Sequence, residues 1–189
     1  MTATVLKTNL RDLSPQFIQD LRGKFDQTAQ VEIRVEEQKH GEGLFSEEQF
    51  WQIIDRLDWK QKKRADIIAP AAAALSQMPM PSLYLFKDAL SEKLYRLNTR
   101  AHAAAYLAKQ GDGHLSADDF LYVRCAVVAE GQAYYEKVLH NPSEMPADID
   151  FEHLLSLADD AYEMKTGKEM NYSPLFNYET RSNAEGWEK

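Results

Sequence analysis

Residues 115–140 read LSADDFLYVRCAVVAEGQAYYEKVLH, the longest apolar helical run in the chain. Ser116 is a natural N-cap, because its hydroxyl can accept from a backbone N–H one turn on. Asp119 stands three residues later as the acidic half of a capping box. Asp118 and Asp119 also place negative charge at the positive end of the helix dipole. Phe120, Val123, Val127, Val128, Tyr134, Tyr135 and Val138 then recur at helical spacing, with Leu121, Cys125, Ala126 and Ala129 on other faces. A helix apolar nearly all round is normally central and buried. The reading is therefore one buried helix, with Gly131 marking a kink or a close helix contact. Arg124 is the exception in this oily segment. A buried guanidinium needs a partner, and the acids Asp66, Glu92 and Asp160 on neighbouring predicted helices are the candidates.

Working outward, two segments lead up to this helix. Ser82 opens a helix carrying Leu83, Leu85, Phe86, Leu90, Leu94, Tyr95 and Leu97, and Thr99 to Leu107 follows as a short helix rich in alanine. Further upstream, Ser46 and Gln49 form a capping box before Phe50, Trp51, Ile53, Ile54 and Leu57. The next helix carries Ile67, Ile68, Ala71, Ala74, Leu75 and Met78. Pro70 lies inside it and predicts a kink. Downstream, Asn141-Pro142 ends the central run, Phe151 to about Lys165 forms a last helix, and Thr166-Gly167 stops it. The chain is thus expected to be mainly α (α+β), a bundle of about six helices over residues 45–170.

The N-terminus reads differently. Residues 3–8 are β-leaning, Ser14-Pro15 opens a helix to about Phe25, and residues 30–36 alternate apolar and polar. The expectation is a β-α-β appendage over residues 1–38. It is followed by a polar linker over 39–44 containing Gly41 and Gly43. Two strands alone are marginal in water, so this unit is expected to offer a sheet edge for self-association or for a partner. The C-terminal residues 171–189 hold Tyr172, Leu175, Phe176, Tyr178 and Trp187. That is too aromatic for a disordered tail, and predicts an irregular wrap over the helical body.

Composition excludes several classes. The 189 residues carry a net charge of −8, against a nucleic-acid surface with clustered cations. The one basic cluster, Lys60-Gln61-Lys62-Lys63-Arg64, reads as a solvated helix start. A single cysteine allows no internal disulfide and suits a reducing cytoplasm. No signal peptide opens the chain, and no apolar run reaches the length of a membrane span.

The site motifs are sparse. Gly111-Asp112-Gly113 before Asp119 mimics the second half of a calcium loop. Ala108 and Gln110 stand where oxygen ligands are required, so a glycine turn and a capped helix explain the segment. The five histidines lack metal spacing, and neither metal nor cofactor is expected. His102 and Cys125 form no motif pair, so no catalytic residues are assigned. If a pocket exists, its polar lining is expected to be Arg124, Glu92, Tyr95, Arg100 and His102, with an internal salt bridge as the simpler alternative.

Phe50-Trp51-x-x-Ile54, Leu75-Ser76-x-Met78-Pro79, Glu92-Lys93-Leu94-Tyr95 and Asp118-Asp119-Phe120-x-x-x-Arg124, with Gly131, Tyr135 and Asn141-Pro142, together resemble the bacterial domain of unknown function 4240 (DUF4240) family over about residues 45–170. The resemblance implies a mostly helical domain and transfers no activity, substrate or catalytic residue. Arg100 and the Gly111-Asp112-Gly113 turn depart from the family pattern and suggest a subgroup. The expectation is a cytoplasmic bacterial protein acting by contact with another protein or itself, as a regulatory or immunity-type partner. The alternative is an enzyme or small-ligand binder using a pocket around Arg124.

Overall fold

The structure, a computed structural model, describes residues 15–25, 45–111 and 113–188. The chain divides into two units, Met1–Lys39 and His40–Lys189. In the first unit the described element is α1, Pro15–Lys24, starting on the proline expected to open it. The two strands and the linker expected at the N-terminus lie outside the described residues. Among the described residues every regular element is helical, so the helical class holds and the β-α-β appendage is not seen.

The second unit is a helical assembly. Its elements are α2 Glu47–Ile54, α3 Arg64–Ser76, α4 Met80–Arg96, α5 Arg100–Gln110, α6 Ala117–Ala129, α7 Gln132–His140, α8 Leu157–Thr166 and the short α9 Ala184–Glu188. Two 3-10 segments, Pro142–Glu144 and Glu152–Ser156, lie between α7 and α8. The starts follow local chemistry. Ser46 Oγ accepts from Gln49 N at 3.1 Å and Gln49 Oε1 accepts from Ser46 N at 2.8 Å, a complete capping box. Thr99 and Ser116 accept from the amides of His102 and Asp119 in the same way. Pro70 does not end α3, which runs on to Ser76 with the proline ring exposed.

The expected single helix over residues 115–140 is two helices. α6 ends at Ala129 and α7 begins at Gln132. Gly131 between them has φ 96° and ψ 173°, a region open essentially to glycine alone. Its Cα comes close to α2, so that a Cβ there would stand 3.8 Å from Asp55 Oδ1. The apolar pattern continues across this break because both helices bury a face in the same core. Periodicity therefore could not reveal it.

α6 is the centre of that core. Every residue from Val123 to Ala129 is buried, Arg124 and Cys125 included. Phe50 and Phe86 stack at 4.9 Å between α2 and α4, and Tyr106 meets Phe120 at 5.7 Å between α5 and α6. α3 packs along α8. The last helix expected from Phe151 starts instead as the 3-10 turn Glu152–Ser156 and becomes α8 at Leu157.

Replacing Gly131 with alanine is expected to destabilise the fold by about 1–3 kcal/mol, because the side chain forces the backbone out of its native region. Urea unfolding midpoints check this, with Gly23→Ala on the exposed face of α1 as the comparison.

Candidate functional site

Arg124 is fully buried, and its guanidinium is held by oxygen atoms that carry no formal charge. Nε donates to Phe120 O at 3.3 Å. Nη1 donates to Leu94 O at 2.9 Å and to Tyr178 O at 3.0 Å, and Nη2 donates to Thr180 Oγ1 at 3.1 Å. The cation also lies 4.8 Å from the centre of the Phe120 ring. The carboxylate partner expected from Asp66, Glu92 or Asp160 is replaced by backbone. The physical reason is the end of α4: Leu94 O is one of the last-turn carbonyls that a helix leaves unpaired, at the negative end of its dipole. Burial lowers the Arg124 pKa to about 10, so the group stays cationic at neutral pH.

The other expected lining residues divide. His102 is buried beside this site. Its Nε2 meets Val138 O at 3.1 Å and its Nδ1 meets Thr99 Oγ1 at 2.7 Å. A carbonyl can only accept, so Nε2 carries the proton and Nδ1 accepts from the threonine hydroxyl. Tyr95 is half-buried, its ring 5.5 Å from Phe176. Glu92 and Arg100 are exposed and do not join the cluster. Cys125 is buried, and burial pushes its thiol up to about 12, which keeps it protonated at neutral pH. The Gly111-Asp112-Gly113 turn brackets the residue that lies outside the description. Gly111 closes α5 at φ 84° and Ser116 caps α6, while Ala108 and Gln110 remain helical.

A second polar centre carried no sequence signal. Lys93, on α4, is 3% exposed. Its ammonium lies 2.7 Å from Glu47 Oε1 and 2.9 Å from Oε2. The rings of Phe50, Trp51 and Tyr135 surround it, with centroids at 4.7, 5.1 and 5.7 Å. Trp51 Nε1 donates to the same carboxylate at 2.8 Å. Tyr135 Oη, buried within this cage, has no hydrogen-bond partner among the described residues. A surface lysine and this one look alike in sequence. The available clue was Glu47 in the first turn of α2, next to an aromatic pair. A groove of about 510 Å³ runs outside the cage, lined in part by Glu47, Trp51 and Asp55.

A third feature is a loop. Trp59 is 49% exposed, yet it is pinned, with its ring 5.0 Å from Phe151. Asp58 braces the loop. Its carboxylate accepts from Lys60 N at 3.2 Å and from Gln61 Nε2 at 2.7 Å, and its own N–H donates to Ile67 O at 3.0 Å. Those bonds hold the Asp58 carboxyl below its usual range, the Gln61 bond most. Lys60, Lys62 and Lys63, which follow Trp59 in the chain, are exposed, while Arg64 is engaged by Asp150.

Burial, aided by the nearby Arg124 charge and opposed by the Val138 carbonyl, lowers the His102 pKa below its ordinary 6.5. The unfolded chain then takes up the proton first. The stability contributed by neutral His102 is present above about pH 6.5 and is lost as pH falls. Unfolding free energy is expected to fall below pH 6.5 by up to about 1.4 kcal/mol per pH unit, and His102→Gln to flatten that slope, read from urea curves between pH 5 and 7.5.

Among the described residues no helix is long and apolar enough to cross a membrane, and no group of acids, histidines and cysteine is placed to hold a metal ion. Among curated proteins and solved structures, none matches the chain. The family model "Protein of unknown function (DUF4240)" matches residues 45–164, which contain Lys93, Arg124 and the Trp59 loop. With most of its length under that match, the chain belongs to the DUF4240 family.

Proposed function

We propose that this protein works by binding another protein, with the Trp59 loop as its anchor, as a cytoplasmic bacterial regulatory or immunity-type partner. One observation carries the reading. A large aromatic side chain stands half in solvent on a loop already fixed by its own hydrogen bonds. Exposed aromatics held rigid in the free protein bind with little loss of conformational entropy, and tryptophan leads the residues that dominate interface energetics. Three lysines within four residues of Trp59 are exposed, in a chain whose net charge is −8. The local sign opposes the global one, so the partner surface that complements it is acidic. Arg64 adds rigidity rather than free charge, since Asp150 engages it in a two-pronged pair.

Support for a ligand pocket at Arg124 is weaker. The guanidinium spends its donors on the chain itself, and Glu92 and Arg100 face solvent away from it.

A photo-crosslinking residue at Lys63, exposed and outside the loop's bracing bonds, introduced in cells of the source organism, is expected to trap one protein partner. Trp59→Ala is expected to abolish that adduct and Lys60→Glu/Lys62→Glu to reduce it at least tenfold. The lysine variant should unfold within about 0.5 kcal/mol of the parent, as surface substitutions do. An adduct indifferent to both substitutions overturns the assignment of the anchor.

A further inference from the structure

Residues 172–178 lie on α4 with alternate residues inward, as a peptide lies in a receptor groove, and a turn over 179–182 follows them. On α4 the contacting positions are Tyr84, Asp88, Ser91 and Tyr95, spaced four, three and four apart, which is one stripe of a helix, and Asn98 just past its end continues the line. On the C-terminal segment the burial alternates instead. Tyr172, Pro174, Phe176, Tyr178 and Thr180 are half-buried, while Ser173, Leu175, Asn177 and Glu179 are exposed. Period two is the signature of an extended chain with one face inward.

The contacts advance together along both partners, so the segment runs parallel to α4. Tyr172 donates to Asp88 Oδ2 at 2.8 Å and packs its ring 4.9 Å from Tyr84. Leu175 N donates to Asp88 Oδ1 at 2.9 Å, and Phe176 N to Ser91 Oγ at 3.4 Å. Arg124 then takes Tyr178 O. Asn98, fully buried, donates to Glu179 O at 2.7 Å and accepts from Arg181 N at 3.1 Å. The receptor side chains thus read the main chain at 175, 176, 178, 179 and 181, and aromatic side chains fill the spaces between. Main-chain bonds for affinity with side-chain pockets for choice is how extended peptides are recognised. The stripe and Arg124 lie within residues 45–164 matched by the family model, and the segment that covers them lies beyond it.

We infer that the α4 groove is a peptide-binding site whose resident ligand is the chain's own residues 172–183, and that it accepts in trans an extended segment of the same chemistry. That chemistry, carried by residues 172–178, is an uncharged stretch with a proline and aromatics at alternate positions: Tyr-x-Pro-x-Phe-x-Tyr. A tethered ligand competes at an effective concentration near millimolar, so a free peptide gains access only where the tail's own side-chain anchors are weakened. This site is separate from the Trp59 loop and stands or falls independently of it.

The test uses the full chain and a fluorescent synthetic peptide of residues 171–188, read by anisotropy. In Tyr172→Ala/Phe176→Ala, which leaves every groove residue in place, the peptide is expected to bind at least tenfold tighter than it binds the parent chain. Adding Ser91→Tyr to block the groove is expected to remove that gain. Native-state hydrogen exchange of the parent gives a second reading: the amides of Leu175, Phe176 and Arg181 should open at least a hundredfold more often than those in the middle of α4 and α6. The inference is overturned if the peptide binds neither chain, if binding ignores Ser91→Tyr, if the double variant loses its helical circular dichroism, or if the tail amides open only with the core.

Discussion

The helical unit depends on how the ends of its helices are satisfied from a distance. A helix leaves its last carbonyls without partners, and here several are met by donors far away in sequence. Arg124 of α6 takes Leu94 O of α4, and Asn183 Nδ2 takes the adjacent Tyr95 O at 3.2 Å. His102 of α5 takes Val138 O of α7, and Lys165 of α8 takes Ser76 O at the end of α3 at 2.9 Å. Where the donor is a cation, it also meets the negative end of a helix dipole. Burying a guanidinium costs several kcal/mol in desolvation unless its protons are all but fully paired. Arg124 meets that condition with carbonyls, a hydroxyl and an aromatic face. It thereby ties α4, α6 and the C-terminal segment into one arrangement.

The same logic separates the two buried cations. Arg124 has a planar fork that can serve several carbonyls at once, and it sits where two helix stretches and the tail converge. Lys93 is a point charge, and its surroundings suit one: a single carboxylate, Glu47, and three aromatic faces. They hold opposite flanks of α4, Lys93 toward the first turn of α2 and Arg124 toward α6 and the tail. α4 is in consequence held by long-range polar contacts on both sides. The tail adds a strained point of its own. Arg181 adopts φ 74°, and its N–H is spent on Asn98, so a side-chain amide inside the core sets the turn that brings Trp187 back to the same asparagine at 3.0 Å.

Much of this was legible in the residues, wherever the signal is local. Ser46 with Gln49 opened α2, and Ser116 opened α6, because a capping hydroxyl needs only the next turn of chain. Gly111 and Gly167 closed helices in the left-handed region that few other residues enter. The buried face of α6 followed from its periodicity. Less visible was Gly131. A glycine inside an apolar run reads as a kink, and only its φ of 96° shows a full break. The site was harder still. Arg124 announced that it needed a partner, but charge pairing pointed to Asp66, Glu92 or Asp160, when the partners were three carbonyls and the Thr180 hydroxyl, none of them charged.

The sequence by itself determined the helical class, the starts of α2, α5 and α6, the glycine stops of α5 and α8 and the central position of α6, because these rest on interactions within one or two turns, and it carried the family pattern. The tertiary structure decided which oxygen atoms hold Arg124, that Lys93 is caged while Glu92 next to it faces solvent, that Trp59 stands proud of its loop, and that residues 172–183 lie along α4. Their long-range contacts join residues 30 to 92 positions apart, from Leu94 with Arg124 to Trp59 with Phe151. No spacing rule reaches that far, since only the packed chain brings an unpaired carbonyl and a buried donor within 3 Å of each other.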